Sequence, residues 1–190
     1  MTRPPPVTVR PATVDDAAAI AHVHVLGWQQ AYRGLMPDDF LDAIDVARRA
    51  DSRRAMLEGP PPGSFTLVAD HRATGIVGFV MGYPFRRDEE DPPAPEGNVG
   101  EIAAIYVLAD HYDTGAGGAL MEAALAHLEA DGHTRASLWV LEGNARACRF
   151  YERGGWAHDG VRKQAAFGGA TVTELRYVRE APFTPPQRPQ

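Results

Sequence analysis

Val107-Leu108-Ala109-Asp110-His111-Tyr112-Asp113-Thr114-Gly115-Ala116-Gly117-Gly118-Ala119-Leu120 is the stretch on which the reading of this chain turns. The residues from Asn98 to Leu108 read as a strand that ends as it begins. Gly115 to Ala130 reads as an amphipathic helix, with Leu120, Met121, Ala124, Leu125 and Leu128 on its apolar side. Glycines between a strand and a helix let successive backbone N–H groups face outward at the helix N-terminus, where the partial positive charge favours an anion. A phosphate or pyrophosphate is the natural guest. The nucleotide P-loop does not match, because no lysine with a following Ser or Thr stands after the glycines. The dinucleotide fingerprint lacks its last glycine, Leu120 standing at the end of the run. The same glycines would also serve a tight turn that holds no ligand.

Outward from this turn the order of elements is regular. Val7 to Arg10 reads as a strand, and Thr13 as the N-cap of a helix carrying Val14, Ala17, Ala21, Val25, Trp28 and Tyr32 at steps of three and four. A second helical stretch is expected from Asp38 to Leu57. Phe65 to Asp70 and Gly75 to Tyr83 read as a hairpin, followed by a charged, proline-rich and exposed loop from Arg86 to Gly97. Arg135 to Leu141 is apolar enough for a strand buried on both faces, so strand, helix and strand form a crossover with a parallel pair. A helix from Ala145 to Arg153 precedes a closing hairpin of Val161 to Phe167 and Thr171 to Arg179. This predicts one α/β domain over residues 7–180, between a disordered 1–6 segment and a proline-rich tail of 181–190.

A second stretch raises the specificity of the first. Leu141-Glu142-Gly143-Asn144-Ala145-Arg146-Ala147-Cys148-Arg149-Phe150-Tyr151-Glu152-Arg153-Gly154-Gly155-Trp156 carries Asn, then a helix with Ala and Tyr, then Gly and an aromatic. The two blocks, in this order and at this separation, resemble the acyl-CoA motifs of the GNAT superfamily of N-acetyltransferases. Gly27 to Pro37, with Trp28, Tyr32, Arg33, Gly34 and Pro37, is similar to the helix-to-helix segment of one bacterial subgroup. The resemblance covers residues 7 to 179. It implies a mixed, mostly antiparallel sheet splayed at one parallel strand pair, with helices on both faces. At the family signature Tyr112 stands for Gln or Arg, Asp113 for a frequent glycine and Thr114 for a frequent basic residue, so weakened pyrophosphate binding is expected.

The resemblance implies acetyl-CoA as co-substrate and no metal. Backbone groups of Ile105, Tyr106 and Val107 would pair with the pantetheine arm. Amides from Tyr112 through Asp113, Thr114, Gly115, Ala116, Gly117 and Gly118 would cradle the pyrophosphate. Asn144 and Ala147 would contact the cofactor from the next helix, and Tyr151 would protonate the leaving sulfur. Asn144 reads equally well as a plain N-cap. Amides around Val107 are the expected oxyanion donors if the strand bulges there. Glu101 is the candidate base, strand alternation putting it on one face with Ala103, Ile105 and Val107; a water chain is the alternative. Trp28 and Tyr32 would line the amine pocket. His22 and His24 read as surface or half-buried residues.

The acceptor is a small-molecule amine, antibiotic-like molecules included, or a protein N-terminus or lysine. The altered turn also leaves open a non-catalytic acyl-CoA sensor. A homodimer is common in the family. The net charge of −6 argues against broad capture of nucleic acid. The single cysteine, Cys148, excludes an intrachain disulfide and a cysteine-rich zinc site, which fits the cytoplasm. The start Met1-Thr2-Arg3-Pro4 has no apolar leader, and no run reaches the ~18 apolar residues of a membrane helix.

Overall fold

The computed structural model describes residues 7–87 and 91–183. The expected disorder of 1–6 and fraying of 184–190 fall outside the described residues. Seven strands form one sheet in the order β1-β2-β3-β4-β5-β7-β6. These are β1 (Val7–Pro11), β2 (Phe65–His71), β3 (Gly75–Pro84), β4 (Val99–Val107), β5 (Arg135–Leu141), β6 (Ala157–Phe167) and β7 (Ala170–Glu180). Neighbours are antiparallel except β4 and β5, which run parallel as the crossover requires. No described helix is long and apolar enough to cross a membrane.

The helices divide between the two faces. On one lies α4 (Ala116–Ala130), whose Leu120, Ala124, Leu125 and Leu128 pack with Leu67, Val80, Ile102, Leu138 and Tyr151. Beside it α5 (Ala145–Arg153) adds Phe150. The opposite face is covered by α1 (Ala17–Tyr32), whose Ile20 and Val23 meet Val68, Phe79 and Met81, with α3 (Val46–Glu58) against α1. A Cβ at Gly27 would come within 2.8 Å of Tyr106 Cδ1, so this glycine lets α1 lie directly on β4.

Several expectations are corrected. The stretch from Asp38 to Leu57 is two helices, α2 (Asp38–Asp42) and α3, because the Asp45 carboxylate caps Ala47 N and Arg48 N and starts a new helix. His24 is buried rather than half-exposed. Its Nδ1 lies 3.0 Å from Arg53 Nη2 and accepts from that guanidinium, and burial holds its pKa down to about 3. The expected exposed loop is mostly exposed over 91–97 but is tethered at two points: Lys163 pairs with Asp91, and Arg176 donates to the Pro93 carbonyl. The chain stays docked past residue 180, with Phe183 buried in the α4 core and its carbonyl accepting from Arg179.

Candidate active site

β4 and β5 pair only from Val99–Glu101 to Arg135–Ser137 and then part. Beyond Glu101, β4 keeps β3 on one side and, among the described residues, pairs with no strand on the other. Each strand is held from outside by an antiparallel neighbour, so the gap cannot close. It forms a cleft of about 760 Å³, lined by Ile102 to Val107, Trp139, Val140, the glycine turn and one face of α5.

At one end of the cleft α4 begins. Gly115, at φ 95°, is its N-cap and lends no side chain, so the first-turn N–H groups of Ala116, Gly117 and Gly118 carry no cap. Asp113 also adopts the left-handed region, at φ 58°. The Thr114 side chain is spent within the turn: its Oγ1 donates to the His111 carbonyl and braces it. The side chain of Ala116 is buried under the helix, leaving its amide as its contribution.

The cation missing from this turn comes from α5. The Arg146 guanidinium lies 3.4 Å over the Tyr112 ring and 3.6 Å from Asp113 Oδ2. Arg149 and Arg153 line the same cleft. The three arginines stand at steps of three and four, one face of a helix. The Tyr112 ring thus carries a guanidinium on its face, and Asp113 faces a neutralising partner.

Further along, three tyrosines converge. Tyr32 and Tyr106 hydroxyls are 3.0 Å apart, and Tyr151 projects from α5 into the apolar core with Trp156 and Tyr177 against its ring. Burial raises all three phenols above their ordinary range, so each keeps its proton at neutral pH. Asn144 is the N-cap of α5: its Oδ1 accepts from Ala147 N at 3.1 Å, which leaves its amide nitrogen for a ligand.

A second cavity of about 240 Å³ opens off the cleft, lined by Trp28, Tyr32, Met36, Glu101, Trp139, Lys163, Phe167 and Glu174 among others. Trp28 and Tyr32 share a helix face as expected, their rings edge-to-face at 5.5 Å. The Trp28 indole N–H is buried beside the Tyr106 phenol. Tyr32, Ile102, Ala103, Tyr106 and Trp139 line both cavities and form their junction.

Glu101 belongs to this second cavity, and its expected alternation with Ile105 and Val107 is wrong. The β3–β4 register jumps from Met81 opposite Ala104 to Gly82 opposite Ile102, which leaves Ala103 as a bulge. The bulge adds one residue to the count, so Ile102, Ile105 and Val107 face the α4 core while Ala104 and Tyr106 face α1. Glu101, next to Ile102, therefore lies on the Tyr106 side. The bulge also sits at Ala103 and not at Val107. Arg86 takes up both Glu101 oxygens, at 3.3 Å and 3.0 Å, and donates its backbone N–H to the first.

A family model described as the GNAT acetyltransferase family matches residues 17–156, most of the folded chain. The chain belongs to the GNAT family. The N-acetyltransferase YuaI of Bacillus subtilis (strain 168) is 32% identical over 139 residues, 73% of each chain. A mycothiol acetyltransferase of Thermobispora bispora is 33% identical over 112 residues, 52% of this chain but 38% of that protein. Among solved structures, the PaiA N-acetyltransferase of Thermoplasma acidophilum in complex with coenzyme A superposes with a TM-score of 0.69 at 13% identity, covering 92% of this chain and 98% of that one. YncA of Salmonella typhimurium with acetyl-CoA gives 0.66 at 16%, covering 92% and 94%. These likenesses show the fold, and the family makes this GNAT chain an N-acetyltransferase.

Of the expected site residues of this GNAT domain, Ile105, Tyr106, Val107, Tyr112, Asp113, Gly115, Gly117, Gly118, Asn144, Ala147, Tyr151 and Tyr32 come together on the cleft. Trp28 and Glu101 lie in the second cavity instead. Sequence reasoning missed the three arginines, whose helical spacing was there to be read. It also missed Trp139, Lys163 and Glu174, for which strands β5, β6 and β7 had to be paired first.

Proposed function

We propose that this chain transfers the acetyl group of acetyl-CoA to a primary amine of a small molecule. The observation that carries the reading is the junction, where residues of the anion-binding cleft also wall an aromatic pocket. The cleft fits the co-substrate: uncapped α4 amides suit its diphosphate, unpaired β4 backbone suits its pantetheine amides, and the volume is that of a cofactor site. Acetyl-CoA supplies an activated acetyl group. The mycothiol acetyltransferase relatives and the small volume of the second cavity favour a small acceptor over a protein segment.

The chain's own residues then take these parts. Ile105, Tyr106 and Val107 extend β4 by backbone pairing. Ala116, Gly117 and Gly118 donate N–H groups to the diphosphate, with Arg146 supplying the cation that Tyr112 does not. Asn144 offers its amide nitrogen, and Ala147 packs beside it. The acceptor's neutral nitrogen attacks the acetyl carbonyl, backbone N–H at the Ala103 bulge receives the developing oxyanion, and the carbon–sulfur bond breaks. Glu101 accepts the nitrogen's proton. Tyr151, kept protonated by burial, gives its proton to the departing sulfur, and the proton that Glu101 took from the nitrogen returns through solvent to the phenolate, so that the products are the amide and the thiol.

Thermal unfolding with acetyl-CoA, ATP and NADH in parallel tests the donor assignment. At about 100 times its dissociation constant a ligand adds roughly 2.7 kcal/mol, or about 5–10 °C for a domain of this size. A rise with acetyl-CoA alone is expected. No rise with acetyl-CoA, or an equal rise with all three, overturns the reading.

A further inference from the structure

The second cavity already seats an alkylammonium, one that belongs to the protein. Lys163 Nζ lies 4.4 Å from the centre of the Trp139 ring, 3.2 Å from Asp91 Oδ1 and 3.9 Å from Glu174 Oε2. Both carboxylate side chains are largely shielded, at 22% and 20% exposure. An ammonium over an aromatic face, flanked by sheltered carboxylates, is the arrangement by which proteins recognise amines. Here its three partners come from β5, β7 and the segment before β4, and the lysine from β6. Trp139 is also a wall of the junction, so the seat adjoins the reacting end of the cleft.

The charges around the seat do not suit an anion. Glu101 and Glu174 line the cavity and Asp91 closes on its lysine, while Lys163 spends its charge on two carboxylates at once and Arg86 is committed to Glu101. The Glu174 carboxyl is held above its ordinary range, mainly by burial and further by Asp91 and Glu101, with Lys163 opposing. An incoming carboxylate would meet that repulsion, and the described cations beside Trp139, Lys163 and Arg176, are each paired with carboxylates. An incoming ammonium would find what Lys163 finds.

Resting on the acetyltransferase reading above, we propose that the acceptor is a short alkyl amine bearing a second cationic group. That second group settles between Asp91, Glu174 and the Trp139 face in place of Lys163 Nζ. Lys163 is a tethered occupant whose displacement favours dications over neutral or anionic amines.

Three amines of one chain length separate the charges: n-butylamine, putrescine and γ-aminobutyrate. Their binding to the CoA-saturated protein is measured by calorimetry, and thiol release from acetyl-CoA is followed separately. The order putrescine, n-butylamine, γ-aminobutyrate is expected in the wild type, with putrescine's advantage below the roughly tenfold scale of a sheltered ammonium–aromatic contact, because its ammonium exchanges for one already seated. Lys163→Met, which keeps the stem over Trp139, should widen putrescine's advantage, and Glu174→Gln should narrow it. Equal affinities, no binding by any of the three, or a preference for γ-aminobutyrate that Lys163→Met abolishes overturns the proposal, the last making Lys163 an anion anchor. The wild-type ranking suffices if a variant fails to fold. Charge-ranked binding without thiol release keeps the proposal and removes the acetyl-transfer reading. Thiol release without charge ranking does the reverse.

Discussion

Replacing Arg146 by Ala removes the guanidinium that faces both the glycine turn and Asp113. The magnitude follows from its position. It stands 3.6 Å from Asp113 Oδ2, and its side chain is 52% exposed. A unit charge pair at about 4 Å is worth about 1 kcal/mol in water and about 4 at the dielectric of a protein surface. Half exposure and solvent screening place Arg146 at the low end, about 1–2 kcal/mol toward a diphosphate that sits as near to it as Asp113 does. Uncovering the Asp113 carboxylate adds repulsion of the same sign. The dissociation constant for acetyl-CoA should therefore rise roughly 5- to 30-fold. Calorimetric titration of wild type and variant is the assay, with acetyl-pantetheine, which lacks the phosphates, as the control. The loss should shrink in high salt as the screening length falls. Adding Asp113→Asn to the variant should recover part of the affinity, because the stranded negative charge goes with it. An unchanged affinity for acetyl-CoA, or an equal loss for acetyl-pantetheine, would refute the reasoning: the amides would then hold the diphosphate alone, or Arg146 would act through packing.

Tyr151→Phe should lower kcat by about 10²–10⁴-fold, the usual weight of proton assistance, with little change in acetyl-CoA affinity; unchanged turnover removes Tyr151 from the mechanism. Burial raises the Tyr151 pKa, so its protonated form persists into alkaline solution, and the wild-type pH–rate profile should show no alkaline loss traceable to this phenol below about pH 10. Glu101→Gln should flatten the acidic limb of the same profile, because a base must be ionised to act; an unaltered limb assigns the proton to a water chain. His24 is neutral in the fold, with a pKa lowered from 6.5 to about 3 by burial and by Arg53 and Arg49. Its unfolded form binds a proton first as pH falls, so the stability is whole above pH 6.5 and drains between there and pH 3. By pH 5 the loss is about 2 kcal/mol. Urea unfolding of His24→Gln across this range should show a flatter pH dependence, and an identical slope would remove His24 as the cause.

Features set by neighbouring residues were legible in the sequence, and features set by pairing were not. The Gly115–Gly118 turn could be read because a left-handed N-cap and uncapped amides depend on a handful of adjacent residues. Asn144 and Tyr151 could be read because helical spacing fixes which residues share the cleft. The Asp38–Leu57 stretch was misread as one helix because the pattern hid the cap at Asp45. Glu101 was put on the wrong face because alternation assumes an unbroken strand, and the Ala103 bulge is visible only in the register with β3. His24 was misjudged because its burial depends on Arg53 and Tyr106, both remote in sequence.

The amino-acid sequence by itself determined the family, the order of elements and the glycine turn, since each rests on local backbone geometry and short-range periodicity. Only the tertiary structure decided which cation faces the glycine turn and what lines the second cavity. Arg146 of α5 reaches the ring of Tyr112 in the turn before α4, and Lys163, Glu174 and Trp139 meet only when three strands are in register. Charge balance is a sum over residues that folding brings near, and no stretch of chain carries that sum within itself.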